Sequence, residues 1–394
     1  MAMLYLLVVA TPVEIIAGAD DNERRPVQRS FHSLAGILSM SRFLSAACYL
    51  TLAMAFSATA PASADEPPPQ GLIRREFVYE KAPFASCHAS TIAQTPDGEF
   101  VVALFGGSDE GNKDVEIWVC RTEQGRWSDP VRVASGEQSD GTRQPCWNPV
   151  LHQPKTGPLV LFYKIGPNPR KWWGMSCESV DGGKTWRNHQ RLPDGILGPI
   201  KNKAITLDDG TLLCGSSTED STSAPAWRTH FELYRDGKWT RSEDVAFPKP
   251  INSIQPTILR HPDGKLQALG RTREKRVFQT FSEDGGKTWS EMSLTDLPNP
   301  NSGIDAVTLA DGRHALVYNP TEKGERVPLR LAISIDGVKW TDVFEFENQG
   351  PNDEYSYPAI IQSRDGNLHV TYTWRREKVA HVVLDSSKLR PLGK

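Results

Sequence analysis

Six polar or ionisable residues stand where apolar strand segments begin, at intervals of 50 to 60 residues: His88, Asn148, Lys203, Gln255, Asp305 and Tyr357. A buried polar group without a partner costs roughly 1–3 kcal/mol, so such a set on apolar strands implies a shared wet cavity or a closed network. His88 can take or give a proton near neutral pH. Two phenols, Tyr355 and Tyr357, lie in Glu354-Tyr355-Ser356-Tyr357-Pro358. Arg271 and Arg326 each end an apolar or proline-containing segment and offer the planar fork that pairs with a carboxylate. The pair Trp172-Trp173, near Tyr163 and Lys164, supplies flat faces on which a sugar ring can stack, and Trp147 lies beside Asn148 in the segment Cys146-Trp147-Asn148-Pro149. A histidine base, a tyrosine acid and arginines that neutralise a carboxylate are the parts needed for β-elimination as much as for hydrolysis.

What would bring residues so far apart in sequence together is a repeat. Turns of Asp-Gly or Thr-Gly type recur with glycines at 98, 157, 210, 264, 312 and 366, spaced by 59, 53, 54, 48 and 54 residues. A second series of turns ends in Trp127, Trp186, Trp239, Trp289 and Trp340, spaced by 59, 53, 50 and 51. Between the turns lie apolar runs of five to seven residues, such as Phe100-Val101-Val102-Ala103-Leu104, at about four per period. Four-stranded units of this size cannot bury both faces alone, and six of them set around an axis make an all-β, six-bladed β-propeller. Leu72 to Val78 is expected to join the last blade as a closing strand, which accounts for the missing sixth tryptophan. A β-solenoid or a pair of sandwiches is the alternative.

The tryptophan turns have a definite form. Ser179-Val180-Asp181-Gly182-Gly183-Lys184-Thr185-Trp186 and Ser282-Glu283-Asp284-Gly285-Gly286-Lys287-Thr288-Trp289 are full Ser-x-Asp-x-Gly-x-Thr-Trp copies, and Ser334 to Trp340 is a shortened one. The aspartate is expected to accept turn hydrogens, and glycine to supply the positive φ. On these motifs the chain resembles the Asp-box (BNR-repeat) sialidase superfamily over residues 72 to 385. The resemblance implies a propeller with a site on its axis.

Members of that superfamily hold a sugar carboxylate with three arginines and use a tyrosine nucleophile paired with a glutamate, with an aspartate as acid/base. Carried onto this chain, the first arginine's position falls on His88, in Cys87-His88-Ala89-Ser90-Thr91, so that arginine is absent. Arg271 and Arg326 match the second and third. Tyr355 matches the nucleophile, Asp114 the acid/base with Asp109 and Glu110 competing, and the glutamate falls near Gln255, with Glu219 or Glu354 as substitutes. The resemblance implies a sialidase-like hydrolase acting on a terminal acidic sugar. A histidine-dependent lyase or hydrolase on uronic-acid glycans and a non-catalytic glycan-binding propeller remain open beside it. Trp147, Asn148, Lys203, Gln255, Asp305 and Tyr357 would line the substrate's place.

Composition narrows the partners. With 45 Lys+Arg against 48 Asp+Glu and a net charge of −3, the 394 residues carry no basic footprint for nucleic acid or an anionic membrane. The expected partner is a carbohydrate bearing a carboxylate, and the expected state a monomer. Residues 40–64, with an apolar run from Phe43 to Phe56 and a small-residue end at Ala62-Ser63-Ala64, read as an export signal. Residues 1–39 read as an overextended start without a fold, 65–71 as a linker and 72–388 as the propeller. Outside the signal stand Cys87, Cys120, Cys146, Cys177 and Cys214, none at CxxC spacing; buried thiols, at least one of them free, are expected, with one or two bridges left open, and no metal or cofactor is expected.

Overall fold

The computed structural model describes residues 69–220, 222, 225–350 and 353–393. The export segment and the residues before it lie outside the described residues. Six antiparallel sheets succeed one another along the chain, with no helix among the described residues. Blade I holds β2 (Ser86–Gln94), β3 (Phe100–Gly107) and β4 (Glu116–Glu123), with β5 (Arg126–Trp127) and β6 (Val131–Ala134) both pairing β4. Blade II is β7 (Cys146–His152), β8 (Leu159–Ile165), β9 (Trp173–Ser179) and β10 (Arg187–Arg191); blade III is β11 (Ile205–Thr206), β12 (Leu212–Glu219), β13 (Trp227–Arg235) and β14 (Lys238–Arg241). Blade IV is β15 (Ser253–Arg260), β16 (Leu266–Thr272), β17 (Arg276–Ser282) and β18 (Ser293–Pro298); blade V is β19 (Asp305–Thr308), β20 (His314–Tyr318), β21 (Leu329–Ser334) and β22 (Thr341–Glu347). Blade VI joins β23 (Tyr355–Gln362), β24 (Leu368–Trp374) and β25 (Lys378–Leu384) to β1 (Leu72–Phe77), which closes the ring as the sequence suggested.

The Asp-Gly turns join the first two strands of a blade. In five of them the glycine N–H donates to the carbonyl three residues back, as from Gly98 to Thr95 and from Gly264 to His261, with φ near +90°. That is the type I turn followed by a left-handed residue that suits a short hairpin. The core lies between blades: Val101, Ala103 and Phe105 of blade I meet Leu151, Leu161 and Tyr163 of blade II, and Phe231 of blade III meets Ile258, Ala268 and Phe278 of blade IV. All five cysteines of the propeller are buried free thiols, so the bridges allowed for do not form.

Each full Asp-box caps one blade and leans on the one before. Asp284 accepts from Ser282 Oγ, from the Lys287 and Thr288 N–H groups and from Thr288 Oγ1, at 2.6 to 3.0 Å. Trp289 stacks on Phe231 of blade III with ring centroids 3.6 Å apart. A Cβ on Gly286 would come within 2.6 Å of Leu213, so only glycine lets the turn approach that closely. Burial of Asp284 favours its neutral form, but the bonds from Thr288, Ser282 and Lys287 outweigh that and hold the carboxyl below its usual range. Such stability is present above the unfolded carboxylate range and is lost as pH falls. Asp284→Ala is expected to cost about 1–2 kcal/mol at neutral pH, a modest figure because the turn is exposed, with the gap to wild type closing in acid; urea unfolding at several pH values checks both.

Candidate functional site: an arginine-lined cavity at the hub

Four inner strands slip register against their neighbours at one equivalent place, between His88 and Thr91, Trp147 and Val150, Ile254 and Thr257, and Ser356 and Ala359. The second residue of each bulge has positive φ: Ala89 at 57°, Asn148 at 37°, Gln255 at 58° and Tyr357 at 50°. In three of the four the next residue is proline, Pro149, Pro256 or Pro358, which has no N–H to give the ladder and so fits a bulge. A non-glycine residue held there costs about 1–3 kcal/mol, and such strain clusters at functional sites. Here it turns Asn148, Gln255 and Tyr357 toward one cavity of about 220 Å³, which they line with His88, Trp147, Arg271 and Arg326. Seven of the residues singled out in the sequence are thus brought together.

Four others are not. Tyr355 is two positions from Tyr357, which on a regular strand would share its face, but the bulge after Ser356 breaks the alternation. Its ring is buried with Phe346 and Tyr372, and its hydroxyl donates to Asp353 at 3.1 Å; the phenol in the cavity is Tyr357. Asp114 closes its own loop, accepting from the Ser108 N–H and hydroxyl at 2.9 Å, and Glu110 of that loop lines the cavity instead. Lys203 and Asp305 pair with each other at 2.8 Å, and Asp305 also accepts from Thr257 Oγ1 and the Ile360 N–H at 2.9 Å. They tie blades III to VI together and do not line the cavity.

A third guanidinium is nevertheless present. Arg376, in the turn between β24 and β25, lines the cavity, and its carbonyl accepts the Cys87 N–H at 2.8 Å, which sets the turn beside His88. The last blade thereby delivers an arginine beside the position where the first blade has a histidine. Sequence reading passed over it because paired arginines in a hairpin turn ordinarily mean a solvated tip; the signal was the turn's place directly after the Tyr357 strand pair. Glu354 accepts from Arg326 at 2.7 Å and from Arg376 Nε at 2.9 Å, and Glu110 accepts from Arg376 at 2.5 Å.

Arg271 differs from both. It is 8% exposed, no carboxylate bonds to it among the described residues, its Nε has no partner, and its single hydrogen bond reaches the Asn301 carbonyl at 3.4 Å. Its guanidinium carbon lies 5.5 Å from the Tyr357 ring centre, with those of Arg326 at 5.6 Å and the Lys201 amine at 5.7 Å. Gln255 donates from Nε2 to the Tyr357 hydroxyl at 3.2 Å, while its Oε1 is buried without a partner. The His88 ring packs against Tyr357 with centroids 4.0 Å apart and bonds Thr373 through Nδ1 at 3.0 Å. Burial, then Arg376, Arg326, Arg271 and Lys201, drive its pKa well below the ordinary value, so the imidazole is neutral. The arrangement can hold an anion on Arg271 and place its neighbouring atoms beside a phenol and a neutral imidazole. No cluster of three or more metal-ligating side chains occurs among the described residues.

Burial raises the Glu354 carboxyl, but Arg326 and Arg376 pull it below the ordinary 4.5. Its contribution to stability is therefore present above pH 4.5 and disappears as pH falls through the lowered value. Glu354→Gln should destabilise the protein by about 1–3 kcal/mol at neutral pH, since it leaves two guanidinium groups short of a counterion. Unfolding measured between pH 7 and pH 3.5 should show the difference from wild type narrowing toward acid, in contrast to a pH-independent gap.

The fold is shared with proteins of known structure. A protein of unknown function from Dyadobacter fermentans superposes with a TM-score of 0.67 at 18% identity, covering 82% of this chain and 100% of the other. The NanB sialidase of Streptococcus pneumoniae does so with a TM-score of 0.63 at 11% identity, over 81% and 71%. In sequence, a sialidase of Bacteroides fragilis is 24% identical over 258 residues, 58% of this chain and 46% of the relative, so the chain spans about half that protein's length. The family model of the BNR repeat-like domain matches residues 98–370, most of the propeller, and the chain belongs to that family.

Proposed function

We propose that the hub cavity binds the carboxylate of a terminal acidic sugar on Arg271, Arg326 and Arg376 and cleaves that sugar's glycosidic bond beside Tyr357. The observation that carries this reading is Arg271, a buried guanidinium with no anion of its own, aimed at the same ring as Arg326. An incoming carboxylate would give the orphaned Nε a partner, and Glu354 keeps the other two forks in place while it arrives. Similarity to a sialidase of Bacteroides fragilis and to the NanB sialidase supports an acidic sugar as the ligand class.

In the hydrolytic form of the proposal Tyr357 attacks the anomeric carbon. One observation favours a second form, elimination next to the carboxylate: the residue bonded to the Tyr357 hydroxyl is an amide, Gln255, which cannot accept the phenol's proton as a carboxylate would. A neutral imidazole against the same ring can act as a base, and arginines that neutralise a uronate favour loss of the adjacent hydrogen.

Incubation with a panel of sialylated and uronic-acid glycans separates the two forms, since elimination leaves an unsaturated product that absorbs in the ultraviolet and hydrolysis does not. Tyr357→Phe is expected to abolish cleavage in the hydrolytic form and to spare it in the eliminative one, while an acidic monosaccharide still binds. Arg271→Ala should weaken that binding by about tenfold to a hundredfold without lowering Tm, the range of one charge-assisted bond lost. Calorimetry checks the affinity; a variant that binds the acidic sugar as tightly as wild type contradicts the clamp.

A further inference from the structure

A second cavity, of about 200 Å³, adjoins the hub cavity and shares three residues of its wall: Pro169, Trp172 and Glu219. Its far side is formed by the segment from Arg191 to Leu197 of blade II, where Arg191 lies over the Trp173 ring at 5.1 Å from its centre. Any bond between a sugar in the arginine cavity and its neighbour in the second must cross that shared wall. Of the three residues there, only Glu219 can give a proton. We propose that the second cavity holds the sugar attached to the acidic one, stacked on Trp172, and that Glu219 is the acid that protonates the oxygen between them. This rests on reading the hub cavity as an acidic-sugar cleavage site.

The other carboxyls at the hub are committed elsewhere. Glu354 and Glu110 are bonded to arginines, and Asp114 closes its own loop. Glu219, at the end of β12, stands opposite Trp227 of β13 and has no guanidinium bonded to it among the described residues. Burial raises its carboxyl, against the pull of Arg271, Arg273 and Arg170. The electron balance is the same for either form of cleavage. As the carbon–oxygen bond breaks, its electron pair stays on the oxygen, which takes the Glu219 proton. In hydrolysis the Tyr357 oxygen takes the carbon while its proton passes to the neutral His88 beside it; a water then displaces the phenolate, its own proton goes to Glu219, and His88 returns the first proton to Tyr357. In elimination the carbon–hydrogen pair beside the carboxyl becomes the new double bond, the proton goes to the base, and solvent reprotonates Glu219.

The test compares two substrates of the intact protein: the natural acidic oligosaccharide, and the same acidic sugar with nitrophenolate in place of its neighbour at the scissile oxygen. Glu219→Gln should lose about a hundredfold or more in kcat on the oligosaccharide and only a few-fold on the nitrophenolate, which leaves without a proton. Glu219→Asp should fall between, and both variants should bind the free acidic monosaccharide as wild type does, which confirms that the cavity is formed. Trp172→Ala should raise KM for the oligosaccharide and leave the monosaccharide affinity unchanged. Equal losses on both substrates, or none, overturn the assignment of Glu219 while wild-type cleavage still stands. A wild type that cleaves neither substrate overturns the cleavage reading itself and this assignment with it.

Discussion

Guanidinium groups repel one another, and of the three at the hub of this propeller carboxylates hold two in place. Glu354 bridges Arg326 and Arg376, and Glu110 takes a second fork of Arg376. Arg271 lacks such a partner and lies instead over Trp227 and Tyr357, with ring centres at 5.4 and 5.5 Å. A buried charge left this way is costly unless something returns to pair with it. The account of the site follows from that imbalance: two arginines are satisfied within the protein and the third awaits an anion.

The scaffold contributes through a device repeated in four blades. A left-handed residue on the inner strand, followed in three cases by proline, lets a side chain leave the alternating pattern and enter the axial space. The strain is tolerated because the surrounding packing over-determines it, with cores such as Val101 to Leu161 between blades I and II and Val317 to Tyr372 between blades V and VI. Beneath the cavity, Lys201 donates to Asn202 Oδ1 and to the Ile304 and Pro358 carbonyls, so that blades III, V and VI meet at one amine. The floor under Tyr357 is therefore fixed by bonds that leave the cavity's own donors available.

The architecture was legible because its signals are local. An Asp-Gly turn and an Asp-box each announce a hairpin within a few residues, and two markers on one period of about fifty residues leave few folds to choose from. The site was legible only in part. Arg271 and Arg326 stand in recognisable strand contexts, and the ring of Asn148, Gln255 and Tyr357 could be read from the repeat. The choice of Tyr355 over Tyr357 failed because register depends on a bulge, and a bulge depends on pairing with a distant strand. Arg376 was invisible for a related reason: its role arises from contact across the seam where the last blade meets β2. Lys203 and Asp305, read as lining the cavity, satisfy each other, which no spacing in the sequence could have shown.

The central claim is that the negative charge of the ligand is what Arg271 receives. Titrating the unmodified protein with a free acidic monosaccharide and with its carboxamide, identical in shape but uncharged, tests it directly. The account predicts that the acid binds at least about tenfold more tightly than the amide, the value of one charge-assisted bond. Equal affinity for the two would contradict it.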